Sequence, residues 1–430
     1  MDFLRPLIDL VMVDIVGQPA LLVGIIAAVG LILQKKPIAD ILAGGVKTTV
    51  GYLIIVGGAG MVVGVLLNAL TPLISAAFGL PAPAAEAGGM GYTKFLQDWG
   101  GYATLAVALG FVVNLLLARF SPFKYIYLTG HLMIFLAENI FMAFLVGWPS
   151  ISPGTLVLIT GVICGIYWTL QPAYMQKLMK GVTGTDELAY GHTSSFNCWL
   201  AAKFGRFVGK PEESSEDIEL PEALEFFKDT TVSLGFVLGL FTVVVALIAG
   251  PTAAGELSGG TNFVVWALMQ GLTFGAGITV MLYGVRMIIG ELVPAFRGIA
   301  KTLVPGAKPA LDCPIVFPYA PTAVLLGFIG AFAAFLVWMF VFGAIGWGVI
   351  IPPMIMLFFP GGAGGVFGNS TGGWKGAILG GVICGTLLAF GQLFVGRALQ
   401  ATVPFYAMED DPDVHIMNLV FVQLSRLIGR

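Results

Sequence analysis

The chain has 430 residues, of which 57% are hydrophobic and 10% charged, and its formal net charge is −3; the mean hydropathy is +0.93. A soluble domain carries about 25% charged residues to hydrate its surface, so this composition excludes a soluble globular protein. There is no basic stripe for nucleic acid, and Cys164, Cys198, Cys313 and Cys384 are too scattered for a disulfide framework or a zinc site.

The N-terminus, MDFLRPLIDL, has no basic stretch leading to a small-residue cleavage site, so no cleaved signal peptide is expected. Apolar stretches suited to crossing about 30 Å of hydrocarbon are expected at 19–34, 49–70, 100–119, 125–147, 154–174, 229–250, 263–285, 320–343, 348–360 and 376–396. A further stretch, 414–428, is apolar but interrupted by Gln423 and Arg426. The expected fold is therefore all-α and polytopic, with 10–11 membrane spans. Lys35, Lys36 and Lys47 follow the first span, Arg119 and Lys124 the third, Lys177 to Lys210 the fifth, and Arg286 to Lys308 the seventh. The connections 148–153 and 251–262 have no Lys or Arg. By the positive-inside rule the basic connections are cytoplasmic and the N-terminus lies outside.

An ionisable group within lipid costs about 2.5 kcal/mol or more, so each asks for a reason. Leu128-Thr129-Gly130-His131 opens the fourth span and Glu138-Asn139 follows within it. His131 and Glu138 are seven residues apart and share nearly one helix face; an interhelical hydrogen bond is the plain alternative to a functional pair. The polar region 175–228 is the expected cytoplasmic element. Its acidic run Glu212 to Asp217, followed by Leu220-Pro221, suits either a solvated linker or a docking surface for a soluble partner. Gly191-His192-Thr193-Ser194-Ser195, within it, is on composition an ordinary loop.

Pro309, Pro314, Pro318 and Pro321 exclude a regular helix, yet they run directly into an apolar span. Irregular backbone at membrane depth is tolerated only when buried in protein or lining a wet cavity. A broken or re-entrant helix with Asp312 near its tip is expected. Its carboxylate would accept hydrogen bonds from a polyol, or bind a cation or proton. The glycine-rich run 361–374 lacks a Gly-Lys-Ser/Thr ending, so it is no phosphate loop, and a tight or mobile connection is expected there. No catalytic triad or metal cluster is legible, and no cofactor is expected. Gly44 to Thr48 aligns with Gly298 to Thr302 at an offset of 254, which suggests two parallel repeats around a linker. The division expected is 1–174 as a first repeat of five spans, 175–228 as a cytoplasmic linker, 229–262 as a linker span and 263–430 as a second repeat.

These motifs in this order resemble the ascorbate-type permease (IIC) component of the bacterial phosphoenolpyruvate-dependent sugar phosphotransferase system. The matching stretches are Leu128 to His131; Gly191-His192 with Phe196 and Trp199; Gly209-Lys210 through Glu216-Asp217 and Leu220-Pro221; Gly284 to Met287 with Glu291-Leu292; Pro305 to Ala307 with Asp312-Cys313; and Gly365 to Phe367 with Gly372 to Trp374. The resemblance implies a homodimer in the bacterial inner membrane, with a sugar-holding core domain and a dimerisation domain that move against each other. It also implies a cytoplasmic phosphocysteine-carrying subunit as partner. Substrate contacts map onto His131, Met133, Phe135, Glu138, His192, Thr193 and Asp312. The chain departs from that family where glutamines would follow Thr-Gly-His and Gly-His: here stand Ile134-Phe135-Leu136 and Thr193-Ser194-Ser195, which offer few or no hydrogen-bonding groups in their place. The resemblance implies translocation of ascorbate or a related small polar molecule, while the departures point to a different, less polar ligand or to transport without phosphorylation. The alternatives are a phosphorylation-independent secondary carrier, with His131, Glu138 and Asp312 as titrating groups, and a membrane receptor that binds without transport.

Overall fold

A computed structural model describes residues 18–79, 85–218, 230–348, 350–399 and 410–429. The N-terminal decapeptide and Leu220-Pro221 lie outside the described residues. Helices α1 (Pro19–Leu33) and α2 (Ile38–Val65) form a hairpin, and α2 continues through a π turn at Leu66–Leu70 into α3 (Thr71–Phe78). Then come α4 (Ala85–Phe120), strand β1 (Tyr125–Tyr127) and α5 (Gly130–Gly147), followed by α6 (Pro153–Thr183), β2 (Ala189–Tyr190) and α7 (Ser195–Gly205). After a 3₁₀ turn at Ser215–Asp217 the chain forms α8 (Thr230–Ala249), α9 (Pro251–Leu257) and α10 (Phe263–Thr302). It ends with β3 (Lys308–Leu311), a 3₁₀ helix (Cys313–Tyr319), α11 (Pro321–Ala344), α12 (Met354–Leu399) and α13 (Pro412–Ile428). Among the described residues seven helices are long and apolar enough to cross a membrane, and Ala20–Leu33 and Gly235–Ala249 are shorter apolar helices. The protein is a multi-pass helical membrane protein.

Two groups of helices pack around the middle of the chain. In one, α1, α2, α8 and α10 lie together. Glycines on α2 and α10 face each other: a Cβ on Gly284 would sit 2.7 Å from the Gly51 carbonyl, and one on Gly277 2.8 Å from that of Gly58. Such small residues permit backbone contact where lipid supplies no hydrophobic drive. In the other group α11 packs on α12, α12 on α7 and α13, α13 on α5, and α4 on α6. The offset of 254 is not followed by these elements, since it lays the turn 34–37 on 288–291, inside α10.

Residues 354–360 of the span expected at 348–360 and the whole span expected at 376–396 belong to one element, α12. Residues 361–372 are helical and mostly buried, which overturns the connection expected there. Glycine here costs little helix and gains close packing against α7 and α11, because no water competes for the backbone. The helix breaks at Gly373 (φ 59°, ψ −154°), a conformation essentially reserved for glycine. The acidic run is anchored to this break by hydrogen bonds, while Glu212, Glu213, Glu216 and Asp217 stay exposed. Trp374 N–H donates to the Glu213 carbonyl (2.9 Å), Ser215 N–H to Asn369 Oδ1 (2.9 Å), and Glu216 accepts from Thr322 N–H (3.3 Å) and Ala323 N–H (3.1 Å) at the start of α11.

The fourth expected span does not begin as helix. Tyr125-Ile126-Tyr127, aromatic and β-branched, joins a three-stranded parallel sheet in the order β1-β3-β2. Tyr125 pairs with Lys308 and Tyr127 with Ala310 on one side of β3, while Ala189 pairs with Ala310 and Tyr190 with Leu311 on the other. An open sheet edge inside a membrane protein would leave backbone groups unsatisfied, and amide side chains close both edges. Asn114 on α4 donates to the Tyr125 carbonyl (3.1 Å) and accepts from Tyr127 N–H (3.1 Å). On α6, Gln171 donates to the Tyr190 carbonyl (3.1 Å) and Gln176 to that of Leu188 (3.1 Å).

Candidate functional site

Because the three strands are parallel, the chain leaves all of them at one end. β1 runs into Leu128 to His131 and the start of α5, β2 into Gly191 to Thr193 and the start of α7, and β3 into Asp312 and the 3₁₀ helix. The outlets are tied together. Leu128 N–H donates to the Ala310 carbonyl (3.0 Å), Gly191 N–H to that of Leu311 (2.7 Å), and the Thr129 hydroxyl to that of Gly191 (2.6 Å). Asp312 accepts from Cys313 N–H (2.6 Å) and so begins the 3₁₀ helix that the prolines enforce.

This arrangement places Asp312 between two imidazoles. His131 Nε2 is 3.5 Å from Oδ2 and His192 Nε2 is 3.4 Å from Oδ1. The His192 tautomer follows from its other nitrogen. Nδ1 accepts from Ser194 N–H (3.1 Å), an obligate donor, so the ring proton sits on Nε2 and faces Asp312. His192, Asp312 and Cys313 have potential ligand atoms within 4.8 Å of one another, which invites a metal. The tautomer argues against one, because Nε2 would have to give up its proton while Nδ1 already faces a donor.

The C-terminal segment completes the site. The Thr193 hydroxyl donates to Asp411, and that of Ser195 to Asp413. Asp413 also accepts from Tyr167 (2.8 Å) and from Phe196 N–H (2.9 Å), so a carboxylate from α13 caps the N-terminus of α7. Asp413 N–H donates back to the Thr193 carbonyl (3.0 Å). Asn139 on α5 donates to Asp410 (3.1 Å) and accepts from Asn418 (2.8 Å). The stretch read as a marginal last span is thus an amphipathic helix bonded to the loop that carries His192.

These groups open on a cavity of about 710 Å³ between the two helix groups. One wall is formed by α1, α2 and α10 and offers aliphatic side chains and Tyr52. The opposite wall holds Thr129, His131, His192, Thr193, Asp312 and the Asp410-Asp411 pair. Of the residues singled out in the sequence, His131, Phe135, His192, Thr193 and Asp312 line the cavity, and the Phe135 ring stands edge-on to His131 at 6.1 Å. Met133 and Glu138 do not line it; they are 1% and 3% exposed, respectively, inside the packing of α5. The seven-residue spacing keeps Glu138 on the His131 face but two turns farther along the helix. Tyr52, Asp410 and Asp411 were missed. The sequence did carry a signal for the last two: Asp410-Asp411-Pro412-Asp413 has the acidic, proline-led form of a helix start.

A family model described as "PTS system sugar-specific permease component" matches residues 14–410. The chain is 28% identical over 442 aligned positions to a protein of Mycoplasma pneumoniae named "Ascorbate-specific PTS system EIIC component". That match covers 90% of this chain and 66% of the relative, so the chain spans just under two thirds of the relative's length.

Proposed function

Since the chain belongs to the family of sugar-specific permease components of the phosphotransferase system, we propose that it carries ascorbate or a related small polar molecule across the membrane by alternating access. One observation supports this above the others: the polar side chains around the cavity lie almost entirely on one wall, at the shared end of three parallel strands, while the facing wall is apolar apart from Tyr52. A ligand held by that wall would travel with it. Movement of the polar helix group past α1, α2 and α10 would then open the site to either side with few hydrogen bonds to break.

The chemistry suits a hydroxyl-rich ligand. Asp312 accepts, the Nε2–H of His192 donates, and His131, with a side chain 44% exposed to the cavity, does either. The N-terminus of α5 has no side-chain cap, so it turns the positive end of a helix dipole toward the site beside His131. Phosphorylation would fall to a separate cytoplasmic subunit with a phosphocysteine, which the family assignment favours. A homodimer is part of the same proposal.

Uptake of labelled ascorbate into vesicles containing the full chain, with and without the phosphorylating subunits, tests this. Accumulation of phosphorylated ligand only when the subunits are present is the expected result. Uptake indifferent to them but abolished by collapsing the ion gradient would replace the proposal with a secondary carrier.

A further inference from the structure

Asp411 occupies the N-cap position of α13, where an aspartate ordinarily accepts from its own helix, but it makes no such bond. Its carboxylate turns instead to the Thr193 hydroxyl and the His192 ring, whose Nδ1 lies 3.5 Å away. The side chain is 7% exposed and lines the cavity. Its neighbours do the anchoring: Asp410 is bonded to Asn139 and Asp413 to Tyr167, Ser195 and Phe196. A carboxylate has about four lone-pair sites. Thr193 fills one, and Nδ1 of His192, itself an acceptor, fills none.

Among the described residues no Lys or Arg lines the cavity, so none of these sets a fixed cation against Asp312 and Asp411. A buried carboxylate without a counter-cation requires donors, and the ligand must bring them. An anion would add like charge in a space of low dielectric, whereas a neutral polyhydroxy molecule brings several O–H groups. A glutamine beside His192 would donate as well as accept; Asp411 only accepts. We propose that Asp411 contacts the ligand as a hydroxyl acceptor, with Asp312 at the opposite edge of His192, and that the pair sets a preference for neutral polyhydroxy ligands over anionic ones. The inference rests on the permease reading and narrows its substrate.

The test uses the full chain in detergent, titrated with galactitol, D-glucitol, xylitol and L-ascorbate. A neutral polyol should bind the wild type more tightly than ascorbate. Asp411→Asn, whose amide oxygen still accepts from Thr193, should weaken that polyol at least tenfold and narrow its advantage over ascorbate. Should Asp411→Asn not fold, deoxy analogues of the polyol on the wild type take its place, and removal of one hydroxyl should cost about tenfold. Undiminished polyol binding by Asp411→Asn, equal binding of every deoxy analogue, or ascorbate binding tighter than any polyol overturns the inference and leaves the permease reading intact. If wild-type vesicles supplied with the phosphorylating subunits take up no sugar, polyol or ascorbate, the permease reading fails and this inference with it.

Discussion

Replacing Asn114 with leucine should destabilise the protein through strand β1, although the substitution lies away from the cavity lining. Asn114 is fully buried. Its Nδ2 donates to the Tyr125 carbonyl (3.1 Å) and to Thr169 Oγ1 (2.9 Å), and its Oδ1 accepts from Tyr127 N–H (3.1 Å). Leucine has similar volume, so little cavity is made, but the outer edge of β1 loses its partners. Each orphaned buried group costs about 1–3 kcal/mol, and with one donor and one acceptor exposed on the strand the sum is roughly 2–6 kcal/mol. That is a large part of the ~5–15 kcal/mol that ordinarily separates folded from unfolded protein. Because β1 leads directly to Thr129 and His131, ligand binding should weaken too. Thermal unfolding in detergent should show a fall of several degrees for Asn114→Leu, and a smaller one for Thr169→Val, which leaves both strand bonds in place. An Asn114→Leu protein that melts within about a degree of the wild type, or a Thr169→Val protein that loses more, would refute the edge-closing role.

Gly373→Ala forces a side chain into a glycine-only conformation at a cost of about 1–3 kcal/mol, and its Cβ would overlap the Glu213 carbonyl; limited proteolysis should cut faster within 209–217. Glu216→Gln keeps the shape but loses the charge that caps α11, so a loss of about 0.5–2 kcal/mol should appear as a lower unfolding temperature. Lys308, 2.7 Å from Asp186, holds that carboxyl below the usual aspartate range by its hydrogen bond, with partial burial opposing. A depressed carboxylate stabilises the fold above its unfolded pKa of about 4 and loses that contribution as pH falls through the lower folded value. The stability gap between wild type and Asp186→Asn should therefore close in acid. Asp186 is half exposed, so the gap at neutral pH should be about 1 kcal/mol or less.

Much of this protein was legible one residue at a time. Hydropathy placed the spans because a helix must satisfy its own backbone in lipid whatever its neighbours are. Four prolines marked the break at Asp312 for the same reason, and ordered motifs picked out His131 and His192. Local pattern failed where a segment's state depends on what packs against it. The glycine run 361–372 is helix because α7 and α11 press on it, and Tyr125 to Tyr127 is strand because β3 and Asn114 supply partners 183 and 11 residues away, respectively. Glu138 looked like a partner of His131 because helical periodicity fixes direction around an axis, while the cavity ends before that depth. The apolar sequence by itself determined a multi-pass membrane protein with breaks at Gly130 and Asp312. Only the tertiary structure brought those breaks to one end of a parallel sheet and joined Asp411 to Thr193 and Asp413 to Ser195 across more than two hundred residues, since convergence of distant side chains depends on packing that no local pattern encodes.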